Sequence, residues 1–279
     1  MTPLDGSMVA RAAEAISGAT ALLFTAGAGM GVDSGLPDFR GPEGFWRAYP
    51  PYRALGLPFE ELANPRWFAK DPAFAWGFYG HRMELYRRTI PHDGFRLLKA
   101  WGERVGRSFV FTSNVDGQFH LAGFDPNRIV ECHGTLRLLQ CTAECGVGIV
   151  SSSGTSVDVD PSTFRAREPL PVCPRCGSLA RPNVLMFGDG GFDGDEVAAQ
   201  EERMARFLDE CGPRLTVIEC GAGTHIPSVR SQGERLLRVP GTSLVRINPR
   251  ESQGPAGTVS LAGGALASLQ AIGAQLGWS

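Results

Sequence analysis

The stretch Ala21-Leu22-Leu23-Phe24-Thr25 is apolar up to its last residue and runs straight into Ala26-Gly27-Ala28-Gly29. A short run with no polar alternation is buried on both faces, as in the interior of a parallel sheet. The glycines that end it permit a tight turn and close backbone approach, so a central strand delivers the chain into a crevice here. Similar runs recur at Ser108-Phe109-Val110-Phe111-Thr112, Arg128-Ile129-Val130-Glu131, Asn183-Val184-Leu185-Met186-Phe187, Leu215-Thr216-Val217-Ile218-Glu219 and Leu244-Val245-Arg246-Ile247-Asn248. Between them, residues 11–17, 72–89, 196–210 and 265–276 read as helices. Strands alternating with helices predict an α/β fold, a Rossmann-like parallel sheet with helices on both faces.

One segment breaks this rhythm. Cys141-x3-Cys145 and Cys173-x2-Cys176 flank a Ser/Gly/Asp-rich stretch, 151–162, that reads as a flexible loop. Four thiolates at this spacing fit a closed tetrahedral Zn²⁺ site, structural because no ligand position stays open. Cys132, Cys211 and Cys220 have no close partner and read as buried small apolar residues. The expected organisation is a Rossmann-like first part over 1–137, with a helical insertion at 42–90. A small zinc module follows over 138–181, and the Rossmann-like domain resumes over 182–279. Polar, proline-rich sequence from 33 to 58 predicts a long functional loop.

Composition narrows the partners. A net charge of −2 argues against a surface built to hold nucleic acid or anionic membrane. No apolar run is long enough to span a bilayer, and no signal peptide is visible, so a cytoplasmic enzyme is expected. The oligomeric state is not legible.

Gly27-Ala28-Gly29 after a buried strand suits a pyrophosphate, approached by free N–H groups at a helix start. The third glycine of a dinucleotide fingerprint is missing and no acidic residue closes the unit, which disfavours hydride transfer. Downstream, Asp38-Phe39-Arg40 sets a carboxylate, an aromatic and a guanidinium side by side. Asp38 can accept from a carboxamide, Phe39 can wall off a reactive carbon and Arg40 can meet a phosphate; a surface loop with a buried Phe is the plainer alternative. Tyr79 and Arg82 lie at helical spacing and share a face. Read from spacing alone, they belong to an aromatic stripe with a solvated arginine.

Taken in order, these motifs resemble the sirtuin family. Thr25–Gly29 through Ser34-Gly35-Leu36-Pro37-Asp38-Phe39-Arg40-Gly41 is similar to its opening NAD-binding signature. Thr112-Ser113-Asn114-Val115-Asp116 resembles its Thr-Gln-Asn-x-Asp segment, and Glu131-Cys132-His133-Gly134 its catalytic His-Gly. The cysteine pairs fall where its zinc module sits, and Arg181-Pro182-Asn183-Val184-Leu185-Met186-Phe187-Gly188-Asp189 resembles its substrate strand. Ile247-Asn248 resembles its ribose-contacting pair. The resemblance covers about residues 20–250.

It implies NAD as co-substrate and an acylated lysine of a protein or peptide as partner, giving nicotinamide and O-acyl-ADP-ribose. It implies His133 and Asn114 as catalytic residues. Gly27, Ala28, Gly29, Asp38, Phe39, Arg40, Asn114, Asp116, Gly221, Thr224 and Asn248 would contact NAD. Tyr79, Arg82, Leu185, Phe187 and Gly188 would contact the acyl-lysine, with Tyr79 and Arg82 resembling the pair of a class that takes succinyl groups. Histidine suits the base role because its ordinary pKa lies near neutrality.

Some positions depart from the pattern: Gly31 stands for a serine and Ser113 for a glutamine, and Gly221-Ala222-Gly223-Thr224-His225 replaces a Gly-Thr-Ser segment. Pro91-His92-Asp93-Gly94-Phe95 replaces a Pro-Asn-x-x-His stretch. A protein ADP-ribosyltransferase, an NAD glycohydrolase and a silent NAD sensor stay open beside the deacylase.

Overall fold

A computed structural model of the chain describes residues 4–37 and 56–278. Asp38, Phe39 and Arg40, and most of the loop expected over 33–58, lie outside the described residues.

Helix α1 (Gly6–Ser17) starts five residues before the expected position because Asp5 caps it, its carboxylate accepting from Ser7 N. Val9, Ala12, Ala13 and Ile16 form its buried stripe. Strand β1 (Ala21–Ala26) follows, buried at every residue. Helices α2 (Phe59–Leu62), α3 (Arg66–Lys70), α4 (Pro72–Arg88) and α5 (Asp93–Val105) lead to β2 (Ser108–Thr112). Next come α6 (Gln118–Leu121), β3 (Ile129–Glu131), β4 (Gly134–Cys141), β5 (Val150–Ser151) and β6 (Ala180–Val184). The rest is α7 (Asp195–Glu210), β7 (Leu215–Cys220), α8 (Ser228–Leu237), β8 (Ser243–Ile247), β9 (Val259–Leu261) and α9 (Ala265–Leu276).

Six strands form one sheet in the order β3-β2-β1-β7-β8-β9, and every pairing is parallel. Strand order reverses between β1 and β7, and such a switch point opens a crevice beyond the carboxyl ends of the two strands. Alternate residues feed opposite layers. Leu22 and Phe24 of β1 pack with α1, α5 and α9 through Ile16, Trp101 and Leu269. Leu23 joins Phe207 of α7 and Leu236 of α8 on the other side. Helices therefore cover both faces, as expected.

A second, antiparallel sheet runs β5-β4-β6. Helix α4 packs on it, with Trp76, Phe78, Tyr79 and Met83 joining Leu136, Leu139 and Val184 in a third core. The indole of Trp76 donates to Ala180 O at 3.0 Å, satisfying the one polar atom of a fully buried ring. Segment 151–162 is a loop, as its composition leads one to expect, and it is anchored to its neighbours. Ser152 is buried, its N–H donates to Arg137 O and its hydroxyl to Leu136 O. Asp160 gathers the N–H groups of Ser162 and Thr163. Val157 lies where a Cβ on Gly80 would be, 2.6 Å away, and the Phe164 carbonyl occupies the same place over Gly77. Two small residues a helical turn apart in α4 thus make the groove that holds the polar loop.

Other boundaries also differ. The strand read over 183–187 is Ala180–Val184, and residues 185–187 continue as irregular backbone. Helices α5 and α8 and strands β4 and β9 were not legible. Helix α5 is capped by an unusual residue, His92, whose Nδ1 accepts from Gly94 N at 2.9 Å.

Candidate active site

At the switch point, the two glycine turns lie backbone on backbone. A Cβ on Gly27 would stand 2.8 Å from both Ala222 Cα and Gly221 O, and one on Gly221 would stand 2.5 Å from Gly29 Cα. Gly27 N donates to Cys220 O and Gly29 N to Gly221 O, both at 3.0 Å. These two bonds lock the ends of β1 and β7 together. Gly27, Gly29 and Gly221 shape the wall, and Ala28 lines the cleft between.

The end of β2 is fastened to the same turn. Thr112 Oγ1 donates to Ala26 O and accepts from Asn114 N, and Asn114 Nδ2 donates to Gly27 O, each at 3.0 Å. Ser113, Asn114 and Asp116 therefore open into the cleft in fixed order. Burial lifts the Asp116 carboxyl to about 6, against an opposing hydrogen bond from Gln118 N. Asn248 is fully buried: its amide donates to Ala222 O at 2.8 Å and its Oδ1 accepts from Arg250 N and Glu251 N. It braces the rim rather than lining the cleft. Thr224 lies at the rim, its hydroxyl donating to Glu251 Oε1 at 2.6 Å.

His133 sits between β3 and β4, and its carbonyl accepts from Leu185 N at 2.9 Å. His133 is half-buried, and desolvation holds its pKa below the ordinary value while a backbone hydrogen bond to Ser113 opposes the shift. Its Nε2 lies 3.1 Å from Ser228 Oγ. Opposite, Leu185, Phe187 and Gly188 form an exposed-to-half-buried strip along the cleft. A buried ion pair anchors that strip: Arg181 meets Asp189 at 2.8 and 3.0 Å, and Asp189 also accepts from Met186 N.

Tyr79 and Arg82 line the inner end of the cleft. Arg82 is only 6% exposed, which removes the solvated-arginine reading. Its Nε and Nη2 donate to Tyr86 Oη at 3.0 and 2.8 Å, and its guanidinium lies over the Phe78 and Tyr86 rings. Tyr79 Oη is buried without a hydrogen-bond partner among the described residues, and burial raises its pKa. A buried hydroxyl left unpaired is costly unless a ligand completes it.

The cleft so formed has a volume of about 1290 Å³, beyond the roughly 300–1,000 Å³ of single drug-sized sites and so suited to two substrates at once. A polar end (Ser113, Asn114, His133) faces an apolar strip, which fits a dinucleotide ribose meeting a long aliphatic side chain.

Remote from it, the Sγ atoms of Cys141, Cys145, Cys173 and Cys176 all lie within 4.8 Å of one another. Cys141–Cys176 and Cys145–Cys173 are 3.5 and 3.6 Å apart. That is too long for disulfides and close to the ~3.8 Å edge of a tetrahedron with Zn–S of ~2.3 Å. The four cysteines fit a structural zinc, the extra residue in the first pair notwithstanding.

The comparisons with known proteins agree with this geometry. Residues 27–212 match the Sir2 family. This chain is a member of the Sir2 family. NAD-dependent protein deacylase 1 of Archaeoglobus fulgidus is 32% identical over 235 residues, covering 83% of this chain and 82% of the relative. NAD-dependent protein deacylase sirtuin-5, mitochondrial, of Danio rerio is 32% identical over 227 residues, covering 74% and 69%. Among solved structures, a Sir2 homologue in complex with NAD superposes with a TM-score of 0.67 at 27% identity, covering 95% of this chain and 93% of that one. An ADP-ribose complex of a mutant Sir2 homologue gives 0.68 at 29% identity, covering 95% of each. No helix among the described residues is long and apolar enough to cross a membrane.

Within this Sir2 protein, two elements of the site escaped the sequence reading. Ser228 lies well away from His133 in sequence, and nothing in Pro227-Ser228-Val229 marks it. His92, one of the departures, is an anchor. Its Nε2 contacts Met30 O at 2.9 Å and its N–H donates to Ser34 Oγ, tying the segment after β1 to α5. Asp33 extends the same anchorage by accepting from Leu266 N at the start of α9.

Proposed function

We propose that this chain is an NAD-dependent protein lysine deacylase that releases nicotinamide and O-acyl-ADP-ribose. The observation that carries the reading is convergence. One cleft joins the half-buried His133, the Ser113–Asn114 corner of the dinucleotide crevice, and the strip from Leu185 to Gly188 with Tyr79 and Arg82 at its inner end.

NAD supplies the electrophilic ribose carbon. Ala28, Asn114, Asp116 and Thr224 flank the space it would fill, with Gly27, Gly29, Gly221 and Asn248 fixing the walls. The acyl oxygen displaces nicotinamide at the ribose carbon to give an imidate. His133, whose pKa desolvation lowers, then accepts the proton of a ribose hydroxyl as its oxygen adds to the imidate carbon and the C=N π pair moves to nitrogen. Backbone groups of Leu185 and Gly188 and the side chain of Phe187 hold the lysine stem. The Tyr79 hydroxyl and the Arg82 guanidinium are placed to receive an acidic acyl end, where a charge-assisted hydrogen bond gives direction as well as affinity. The four cysteines would hold Zn²⁺ away from the chemistry.

The reading extends to a cytoplasmic enzyme acting on acylated proteins, without a nucleic-acid partner; the net charge of −2 supports the latter. The division into 1–137, 138–181 and 182–279 is likewise proposed, with β4 and β6 as the seam, since both boundaries fall within them.

Mass spectrometry of the protein with NAD and matched acetyl- and succinyl-lysine peptides tests the proposal. Acyl loss matched by O-acyl-ADP-ribose is expected. Nicotinamide release with intact peptides would replace it by glycohydrolysis or ADP-ribosyl transfer.

A further inference from the structure

The inner end of the cleft carries a third side chain beyond the pair expected from the sequence. Tyr79, Arg82 and Tyr86 follow one another at successive turns of α4, so they share one face of the helix, and all three line the cleft. Tyr86 is buried, and its backbone is fixed from outside the helix. Gln118 Nε2 donates to Tyr86 O at 3.4 Å and to Thr89 O at 3.3 Å, while Gln118 N donates to Asp116 Oδ1 at 3.0 Å. The end of α4 is thus tied to the corner that carries Asp116.

Tyr86 holds the arginine by one edge. A guanidinium is planar and presents its N–H groups in a rigid fork. The Tyr86 hydroxyl oxygen accepts from Arg82 Nε at 3.0 Å and from Nη2 at 2.8 Å, the two nitrogens of the side edge. The Phe78 and Tyr86 rings lie 5.2 and 5.4 Å from the guanidinium carbon. Two bonds to one oxygen, with two rings close to the same carbon, leave the plane little freedom to turn. The end edge, Nη1 with the outer N–H of Nη2, thereby takes a fixed direction. With the side edge engaged, a carboxylate forms its two parallel bonds at the end edge. Tyr79 adds a donor: its hydroxyl is buried, belongs to the same end of the cleft and has no hydrogen-bond partner among the described residues. A carboxylate, which carries only acceptors, suits that hydroxyl and a held guanidinium together.

We propose that Tyr86 is a positioning residue that makes this site selective for acyl groups ending in a carboxylate: it holds Arg82 by the side edge and so presents the end edge ready-oriented. This inference rests on the deacylase reading. Holding the arginine before the substrate arrives strengthens binding, because the side chain loses little further freedom when the carboxylate docks. The acyl carboxylate lies at the far end of the chain from the reacting carbon, so ground state and transition state make the contact alike. The effect belongs in KM for the acidic peptide rather than in kcat.

Tyr86→Phe removes the oxygen and keeps the ring. In the full chain, with matched succinyl- and acetyl-lysine peptides, it should lower the ratio of succinyl to acetyl kcat/KM roughly tenfold, the size of one hydrogen bond to a charged group. The change should lie in KM for the succinyl peptide, whereas a loss of packing would lower both substrates together and leave the ratio alone. Adding Tyr86→Phe to Arg82→Met should not lower the ratio further, because the group being held is already gone. An unchanged ratio in Tyr86→Phe would overturn the proposal. So would a raised ratio, which would mean that the phenol competes with the acyl carboxylate for the same N–H groups, or a double variant worse than Arg82→Met. Binding decides the matter apart from turnover. In calorimetric titration the wild-type protein should hold the succinyl peptide more tightly than the acetyl one, and Tyr86→Phe should raise the succinyl Kd roughly tenfold more than the acetyl Kd. Equal wild-type Kd values, or equal shifts in the variant, would overturn the role of Tyr86. Wild-type protein that turns over neither peptide but shows the expected difference in Kd would refute the deacylase reading alone.

Discussion

Replacing Gly221 by alanine should both unfold the protein more easily and disable the cofactor crevice. Gly221 has φ +64°, in the left-handed region, and its added Cβ would meet backbone atoms of Gly29 and Met30 rather than any side chain that could turn away. Two costs combine. The left-handed backbone costs about 1–2 kcal/mol for a residue with a Cβ, and forcing an atom into packed backbone costs about 1–3 kcal/mol more. The sum is ~2–5 kcal/mol. Gly106 supplies the control: it closes α5 with φ +81°, and nothing lies within 4 Å of its Cβ position. Gly106→Ala should therefore lose only the first ~1–2 kcal/mol. Urea denaturation measures both, and for a chain of this length each kcal/mol corresponds to about 2 °C in Tm. Calorimetric titration with NAD should show weakened binding for Gly221→Ala and wild-type binding for Gly106→Ala. Equal destabilisation of the two variants would mean that the β1 and β7 turns do not press on one another, and the account of the crevice would fail.

Three other outcomes are expected. Arg82→Met should cut succinyl-lysine turnover at least tenfold more than acetyl-lysine turnover, the factor of ~1.4 kcal/mol that a lost charged contact exceeds; equal losses in paired assays would remove the acidic acyl end. Asp116 is lifted from 3.8 to about 6 by burial, so the folded state holds its proton more tightly than the unfolded chain. Its stabilising contribution is complete below pH ~4 and disappears as pH rises through about 6. Asp116→Asn, which keeps an acceptor for Gln118 N, should match wild type near pH ~4 and exceed it at pH ~7–8 by at most about 3 kcal/mol, read from denaturation curves across pH; a constant difference would contradict the shift. Metal analysis should find about one zinc per chain, and chelation should lower Tm; folded protein with no zinc would refute the thiolate site.

Periodicity and composition alone located the parallel sheet, because strands buried on two faces cannot carry polar alternation. The register shows this: Phe24 lies between Val110 and Ile218, apolar on either side. The zinc quartet was legible for a different reason, since thiolate chemistry limits what two close cysteine pairs can do. His133, Asn114 and the 185–188 strip were readable only through resemblance, as no spacing rule links residues on separate strands. Elements ruled by capping and tertiary contact were missed, such as α5 behind His92.

What the linear chain determines is which segments must be buried and which side chains can carry chemistry. What it leaves to tertiary structure is pairing. Glu219 and Arg246 are unremarkable polar residues within apolar runs, yet β7 and β8 set them in register and the fold closes them into a buried pair at 2.6 and 3.0 Å. Ser228 becomes a partner of His133 in the same way, because α8 starts where the β7 turn releases the chain. The physical reason is common to both: burial is encoded locally by hydrophobic pattern, while hydrogen bonds and charges act only at contact distance, and contact between distant residues exists only once the sheet has assembled.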